Sequence, residues 1–152
     1  MATEAPDRKR MIELLNDDLS REYQAIIAYT VYSQVLKGAQ YMHIAGELEK
    51  HAKQELEHAI RLSNQIDYFG GMPTGTPKPV KLSENTEEML RADLENEKAT
   101  IANYRTRIRQ ADAMGEFALS EVLREIVVQE QDHLIDLATA LGIDPPEPGE
   151  AK

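Results

Sequence analysis

Two copies of one short motif carry most of the chemistry that this sequence offers. Glu55 and His58 form a Glu-x-x-His motif, and Glu130 and His133 repeat it 75 residues later. Side chains three positions apart project from the same face of a helix. Carboxylate and imidazole ligands suit iron or manganese, and the absence of cysteine weighs against a structural zinc site. The motifs therefore predict a site for transition-metal cations.

The same offset of 75 residues pairs two further glutamates, Glu22 and Glu97. Each belongs to an apolar helical stripe that should face the core, formed by Leu15, Leu19, Ile26 and Tyr29 and by Leu90, Leu94, Ile101 and Tyr104. Helical periodicity alone would align apolar positions, but it would not also align a glutamate, a tyrosine and a Glu-x-x-His motif. The two halves of the chain are therefore related.

The four carboxylates need compensation if they are buried together. Like charges at short range disfavour ionisation and raise the pKa of each group, whereas two divalent cations would balance four negative charges. One Glu from each of two helices plus Glu-x-x-His from the other two is the di-iron or di-manganese arrangement of helical bundles. We therefore predict two divalent cations, iron or manganese, bound by Glu22, Glu55, His58, Glu97, Glu130 and His133.

Helices must position these side chains. The long stretches are rich in strong helix formers, and glycines and prolines divide them into four predicted helices at 8–37, 40–68, 84–112 and 116–141. Short joints at Gly38 and Gly115 predict two antiparallel hairpins, joined by a long crossover. Asn85, followed by Glu88, is a capping-box pattern that opens the third helix. We predict an all-α, antiparallel four-helix bundle.

Length and charge narrow the functional classes. The 152 residues predict one domain over 1–144 and a proline-rich, disordered tail over 145–152. The net charge of -10 argues against nucleic-acid binding. No apolar run approaches the roughly 20 residues of a membrane span, and the first residues lack the apolar core of a signal peptide. We therefore expect a cytoplasmic protein without a membrane partner.

The sequence resembles the ferritin family, and bacterioferritins in particular. The resemblance is carried by EYQAIIAY at 22–29, ELEH at 55–58, EEMLRADLENE ending at Glu97, and EQDH at 130–133. It implies a ferritin-like fold and a ferroxidase that oxidises Fe(II) with dioxygen or peroxide and stores or detoxifies the Fe(III). It also implies that the site binds two iron ions, with manganese or zinc as substitutes. Glu55 and Glu130 are then expected to bridge the two ions, with Glu22 and His58 as one terminal pair and Glu97 and His133 as the other.

Residues around the ligands have more than one interpretation. Tyr29 lies where bacterioferritins have a tyrosine beside the metals, so it is a candidate catalytic residue. It could hydrogen-bond a ligand glutamate or supply an electron; the alternative is a core tyrosine whose hydroxyl has a hydrogen-bond partner. Asp18 and Asp93 are candidates to hold the outer N–H of the ligand histidines, or else surface residues. His51 lies seven residues before His58 and could line an iron route, but we expect a surface histidine.

The sequence departs from bacterioferritins at three places. The methionine that holds haem between subunits is replaced by Leu56, which argues against haem. Lys50 and Gln54 replace a histidine and an aspartate that bind an accessory iron. Prolines after Asp144 exclude the usual fifth helix, so we expect a homo-oligomer that is at least a dimer, packed through the first two helices, with a cage that is plugged differently, smaller or absent.

Other functional classes fit less well. A dimeric di-iron oxidoreductase without mineral storage, or a rubrerythrin-like peroxidase, is one alternative, although the latter normally has extra carboxylates and a cysteine-ligated centre. A DNA-protecting mini-ferritin usually binds metal between subunits and carries a basic tail. A purely structural bundle leaves buried Glu22 and Glu97 unexplained.

Overall fold

A computed structural model describes residues 3–152 of the chain. It contains four α-helices, α1 (Arg8–Val35), α2 (Met42–Tyr68), α3 (Thr86–Ala113) and α4 (Phe117–Leu141), and one 3-10 turn at Ala39–Tyr41. No strand occurs in this part of the chain, and the predicted all-α four-helix bundle is confirmed. Among the same residues, every helix falls short of the apolar length that crossing a bilayer requires.

Local capping interactions set the ends of the helices. Asn85 begins α3 by accepting a hydrogen bond from the Glu88 N–H at 3.0 Å. The other half of the predicted capping box does not form, because the Glu88 carboxylate accepts from the Ser83 hydroxyl at 2.8 Å instead. The first helix ends at Val35, two residues earlier than predicted, and Gly38 with φ +117° turns the chain into the 3-10 segment.

The polar centre lies between two apolar clusters. Helix α1 packs chiefly on α2, and α3 packs chiefly on α4. Along α1, α2 and α4, the buried side chains change from one cluster to the other near Glu22, Glu55 and Glu130. The first cluster includes Met11, Leu15, Leu19, Leu62, Ile66, Leu119, Leu123 and Ile126. The second includes Tyr29, Tyr32, Leu48, Leu90, Leu94, Leu134 and Leu137. Both apolar clusters therefore keep bulk water away from the carboxylates.

The crossover between α2 and α3 lies along one face of α1. Its backbone carbonyls accept hydrogen bonds at 3.1, 2.8 and 2.7 Å from three side chains spaced four residues apart, Asn16, Ser20 and Gln24. The hydroxyl of Tyr32 donates to the carbonyl of Lys81 near the end of the crossover. Because a helix rises about 1.5 Å per residue, these bonds hold the crossover over more than 20 Å.

The last eight residues contain neither helix nor strand but make specific contacts with α3. Arg109 pairs with Glu150 at 2.8 Å, and the Ala151 N–H donates to the Ala102 carbonyl at 3.1 Å. The sequence predicts disorder over 145–152; the structure instead lays this segment along α3. Composition did not reveal this because the contacts need arginines from a distant helix.

Candidate metal centre

The structure brings the six predicted ligands together in the middle of the bundle. None exposes more than 2% of its surface. They form two groups that could each hold a metal ion, with one donor atom per residue and all donors within 4.8 Å of one another. The groups are Glu22, Glu55, His58 and Glu130, and Glu55, Glu97, Glu130 and His133. Glu55 and Glu130 belong to both groups, which is the arrangement expected of bridging ligands.

Both histidines direct Nδ1 at the carboxylates. His58 Nδ1 lies 2.9 Å from Glu130 Oε1 and 3.5 Å from Glu22 Oε2. His133 Nδ1 lies 3.1 Å from Glu55 Oε1 and 3.7 Å from Glu97 Oε1. Each imidazole therefore faces a carboxylate from its own hairpin and one from the other.

Glutamines hold the outer nitrogens of both histidines. His58 Nε2 lies 2.5 Å from Gln129 Oε1, and His133 Nε2 lies 2.6 Å from Gln54 Oε1. When Nε2–H donates to the amide oxygen, Nδ1 keeps its lone pair for a metal. Each glutamine directly precedes a bridging-type glutamate on the opposite hairpin. The 75-residue repeat contained this signal, because Gln54 and Gln129 are equivalent positions, but sequence reasoning assigned them no role.

The aspartates predicted for that role lie elsewhere. Asp18 is buried and accepts from Arg107 Nε at 2.8 Å, and it also contacts Arg21. Asp93 is buried as well, and its Oδ2 has no hydrogen-bond partner within the described chain. Among residues 3–152, neither forms a hydrogen bond or ion pair with His58 or His133, and neither is a surface residue, so both interpretations of these residues were wrong. Gln129 and Gln54, from the opposite hairpin, take the role predicted for the aspartates. Which side chain reaches a histidine depends on how the helices pack, and the local sequence does not encode that.

Two tyrosines connect the hairpins to the metal centre. The Tyr29 hydroxyl of α1 donates to Glu97 Oε1 of α3 at 2.5 Å, and the Tyr104 hydroxyl of α3 donates to Glu22 of α1. Each tyrosine thus bonds the glutamate of the other hairpin. Burial, followed by the nearby glutamate, raises the pKa of both phenols, so both keep their protons at neutral pH.

The electrostatics of the centre favour binding of positive charge. Burial raises the pKa of Glu55 well above its ordinary value, and the Glu22 carboxylate raises it further. Burial also raises the pKa of Glu130, with Glu55 as the largest contributing charge. Burial opposes a charge on His58, but the adjacent carboxylates outweigh that effect and raise its pKa. Without a cation, protons must therefore offset part of the carboxylate charge.

Unpartnered atoms give a second indication of what the centre binds. Among residues 3–152, buried donor and acceptor atoms without a well-oriented hydrogen bond include Glu22 Oε2, Glu55 Oε1, His58 Nδ1, Glu97 Oε2, both Glu130 oxygens and His133 Nδ1. Leaving so many buried polar atoms unsatisfied is costly. Carboxylate oxygens and imidazole nitrogens are ligands of iron, manganese and zinc, so two such cations fit this donor set.

His51 differs from the surface histidine that the sequence predicts. It exposes only 2% of its surface, and its ring stacks on His133 with centroids 3.9 Å apart. Its Nε2 lies 3.1 Å from Asp136 Oδ2. The expectation was wrong because the partners come from α4. Leu56, by contrast, is half exposed on the outer face of α2.

Known proteins share both the sequence and this architecture. The sequence model of the ferritin-like domain family matches residues 12–144. A bacterioferritin of Brucella melitensis is 30% identical over 135 residues, which cover 88% of this chain and 84% of that protein. A bacterioferritin of Desulfovibrio desulfuricans is 29% identical, with 88% and 76% covered.

Solved structures agree with the sequence matches. A ferritin-like, diiron-carboxylate protein of Bacillus anthracis superposes with a TM-score of 0.85 at 33% identity, covering 91% of this chain and 99% of that one. A dodecameric thioferritin of Bacteroides fragilis, described as a bacterioferritin-related protein, gives a TM-score of 0.83 at 25% identity, with 90% and 86% covered. The chain belongs to the ferritin-like family, with bacterioferritins among its relatives.

Proposed function

We propose that this chain is a ferroxidase that takes Fe(II) as its substrate and oxidises it to Fe(III) with dioxygen or peroxide. The observation that carries the proposal is the pair of adjacent ligand groups that share Glu55 and Glu130. Each Fe(II) gives up one electron, so two irons held side by side supply the two electrons and, with two protons, convert dioxygen to hydrogen peroxide. Iron storage or detoxification is the physiological purpose that follows.

The six ligands divide by their position. Glu55 and Glu130 bridge the two cations, and the terminal pairs are Glu22 with His58 and Glu97 with His133. Gln54 and Gln129 fix the orientation and protonation of the two histidines through Nε2. Each histidine then presents Nδ1 to the carboxylates, and this geometry supports its assignment as a ligand. The apolar clusters on either side exclude water and strengthen the electrostatic interactions between cations and carboxylates.

Tyr29 is the proposed redox residue beside the cations. Its hydroxyl positions Glu97, and its ring lies edge-on to His133 with centroids 5.9 Å apart. Such a phenol can supply an electron when the oxidant needs more than the bound irons provide. Tyr104 has the equivalent hydrogen bond to Glu22 but is proposed only to position that ligand.

The chain is proposed to work as a homo-oligomer in the cytoplasm, with a dimer as the smallest unit and a cage as the larger alternative. The dodecameric thioferritin relative supports an assembly larger than a dimer. A dimeric oxidoreductase or peroxidase that stores no mineral is the alternative, and its iron content distinguishes it.

The test combines iron oxidation with measurement of the assembly. Aerobic addition of Fe(II) to the wild-type chain should give rapid oxidation, followed by mass and iron analysis of the isolated particle. Far more than two irons per chain in a large particle supports storage, whereas a dimer that stops at two supports the oxidoreductase. Glu55→Ala and Glu130→Ala should abolish rapid oxidation, because each removes a ligand from both cation positions.

Glu57→Ala provides the matched control. Glu57 lies two residues after Glu55 on the exposed face of α2. Glu57→Ala makes the same substitution on the same helix as Glu55→Ala without touching the centre, so the oxidation rate of this variant should equal that of the wild type. Wild-type rates in both Glu55→Ala and Glu130→Ala would overturn the proposed centre.

A further inference from the structure

We propose a third cation site, separate from the six ligands above, formed by Glu47, His51 and Asp136 and taking one divalent transition-metal cation. One imidazole and two carboxylates suit Fe(II), Mn(II), Co(II) or Zn(II). The proposal that this site binds a cation rests only on the geometry of these three residues. Its purpose, to pass Fe(II) to the Glu97 and His133 position, rests on the proposed function.

Two helices bring the three donors together at the surface. Glu47 and His51 are four residues apart and therefore lie on one face of α2. Asp136 comes from α4, and its Oδ2 lies 3.1 Å from His51 Nε2. One donor atom from each residue lies within 4.8 Å of the others. Metal bonds of about 2.0 to 2.2 Å require a slightly tighter cluster, which small rotations of the two carboxylates supply.

The three residues differ in exposure in a way that suits cation uptake. Side-chain exposures of Glu47 and Asp136 are 23% and 39%, whereas His51 exposes 2%. The carboxylates thus meet solvent, and the imidazole forms the floor of the site. Lys50 pairs with Glu47 at 2.9 Å, but its side chain is 69% exposed, so a divalent cation can displace it.

Two cavities meet at the proposed site. One, of about 250 Å³, is lined by His43, Glu47 and Asp136. The other, of about 310 Å³, is lined by Glu47, His51, Asp136 and also His133. The stacked rings of His51 and His133 connect the site to the dinuclear centre. A cation at the surface would therefore lie one side chain away from the Glu97 and His133 position.

The site is not a by-product of the internal repeat. At the 75-residue offset, the counterparts of its two α2 residues are Val122 and Ile126, and the counterpart of Asp136 is Arg61. Ile126 is buried in the first apolar cluster, and Arg61 is cationic and pairs with Glu125. The opposite end of the centre therefore offers no equivalent set of donors.

Metal stoichiometry tests the site directly. The assembled full-length protein, freed of metal, is titrated anaerobically with Co(II), and bound cobalt per chain is measured after removal of the free ion. Wild type should bind three. The double variant Glu47→Gln/Asp136→Asn should bind two, because these isosteric changes remove two donors and spare the six dinuclear ligands. Asp132→Asn, which alters a carboxylate in the same cavity outside the trio, should still bind three.

A second variant separates this proposal from the proposed function. Glu55→Gln/Glu130→Gln should lose the dinuclear pair and keep one cobalt at the third site. Three bound cobalts in that variant would refute the dinuclear centre, whereas none would refute the third site. Two cobalts in wild type, or three in Glu47→Gln/Asp136→Asn, would also refute the third site. A cobalt anomalous peak beside His51 Nε2 in crystals of the wild-type protein would establish it independently of any variant.

Iron kinetics test the delivery role. Glu47→Gln/Asp136→Asn should slow oxidation of limiting Fe(II) by roughly tenfold, because the local capture of cations is lost. The final extent of oxidation should stay the same, since the dinuclear centre is intact. An unchanged rate would overturn delivery through this site.

Discussion

The two ends of the proposed metal centre have the same candidate ligands but different surroundings. At the Glu22 and His58 end, the preceding aspartate, Asp18, is neutralised by Arg107. At the Glu97 and His133 end, the equivalent Asp93 has an oxygen without a hydrogen-bond partner in residues 3–152. The repeat thus preserves the ligands, while the residues behind them have diverged.

The two ends also differ in access to solvent: we call the Glu22 and His58 end the closed end, and the Glu97 and His133 end the open end. Where the closed end has buried Ile126, the open end has His51, which reaches Asp136 and the surface cavity. Tyr32 occupies the position equivalent to Arg107, but its hydroxyl donates to the Lys81 carbonyl of the crossover rather than to Asp93. The two proposed cation positions are therefore symmetric in their ligands but asymmetric in their surroundings, so they should differ in solvent access and in how tightly they bind a cation.

The largest expected difference concerns the buried ion pair at the closed end. Arg107→Ala should lower the free energy of unfolding of the metal-free protein by about 3 to 5 kcal/mol, because it leaves Asp18 buried with reduced compensation. Denaturant titration measures the loss. Arg91→Ala on the same helix, which breaks an exposed pair with Glu87, should cost less than about 1 kcal/mol. Equal losses in the two variants would contradict the distinction between buried and exposed pairs.

The glutamines should act on one end each. Gln129→Ala should weaken cation binding at the His58 position by about 10- to 100-fold, and Gln54→Ala should do the same at the His133 position. The reason is loss of the bond that orients each imidazole. Calorimetric titration with Zn(II) measures both affinities. Gln65→Ala, a partly exposed control on α2 away from the six candidate ligands, should bind like wild type; a loss at both ends in one variant would disprove independent action.

The tyrosines allow a comparison of structural and redox roles. Tyr29→Phe and Tyr104→Phe should each destabilise the metal-free protein by about 1 to 2 kcal/mol, because each removes one hydrogen bond to a buried carboxylate. Thermal unfolding measures this loss, with exposed Tyr68→Phe as the control. If Tyr29 supplies an electron, only Tyr29→Phe should abolish the tyrosyl radical seen by electron paramagnetic resonance after oxidation. A radical that persists in Tyr29→Phe would refute that role.

The smallest effect is a pH dependence at the open end. Burial, followed by the Glu97 carboxylate, raises the pKa of Asp93 well above 3.8. At a pH between 3.8 and the raised pKa, Asp93 keeps its proton in the folded chain but releases it in the unfolded chain. The free energy of unfolding of the wild type therefore falls as pH rises through this range. Asp93→Asn removes this titration; relative to wild type, its metal-free form should gain stability as pH rises from about 4 to 7. A difference that is constant with pH would contradict the raised pKa.

Sequence predicted the fold because the relevant signals are local or periodic. The helix limits followed from glycines, prolines and caps, and the differences were confined to the ends. The first helix ends at Val35, and the Lys37 N–H donates to the Thr86 hydroxyl of α3 at 3.3 Å instead of continuing the helix. The six candidate ligands could be predicted because the repeat marked them twice, and two Glu-x-x-His motifs leave little freedom in how their helices face each other. The partners of Asp18, Asp93 and His51 carried no such signal, since each depends on another helix.

The sequence by itself determined a repeated helical hairpin and the identity of the residues that converge between its two copies. Spacing along a helix fixes which side chains share a face, and buried acids at equivalent positions require a common counter-charge. Only the tertiary structure decided which aspartate meets an arginine, which glutamine holds which histidine, and which end of the centre opens to solvent. Those choices depend on distances between helices, and distances across a bundle are set by packing of the whole chain rather than by any one segment.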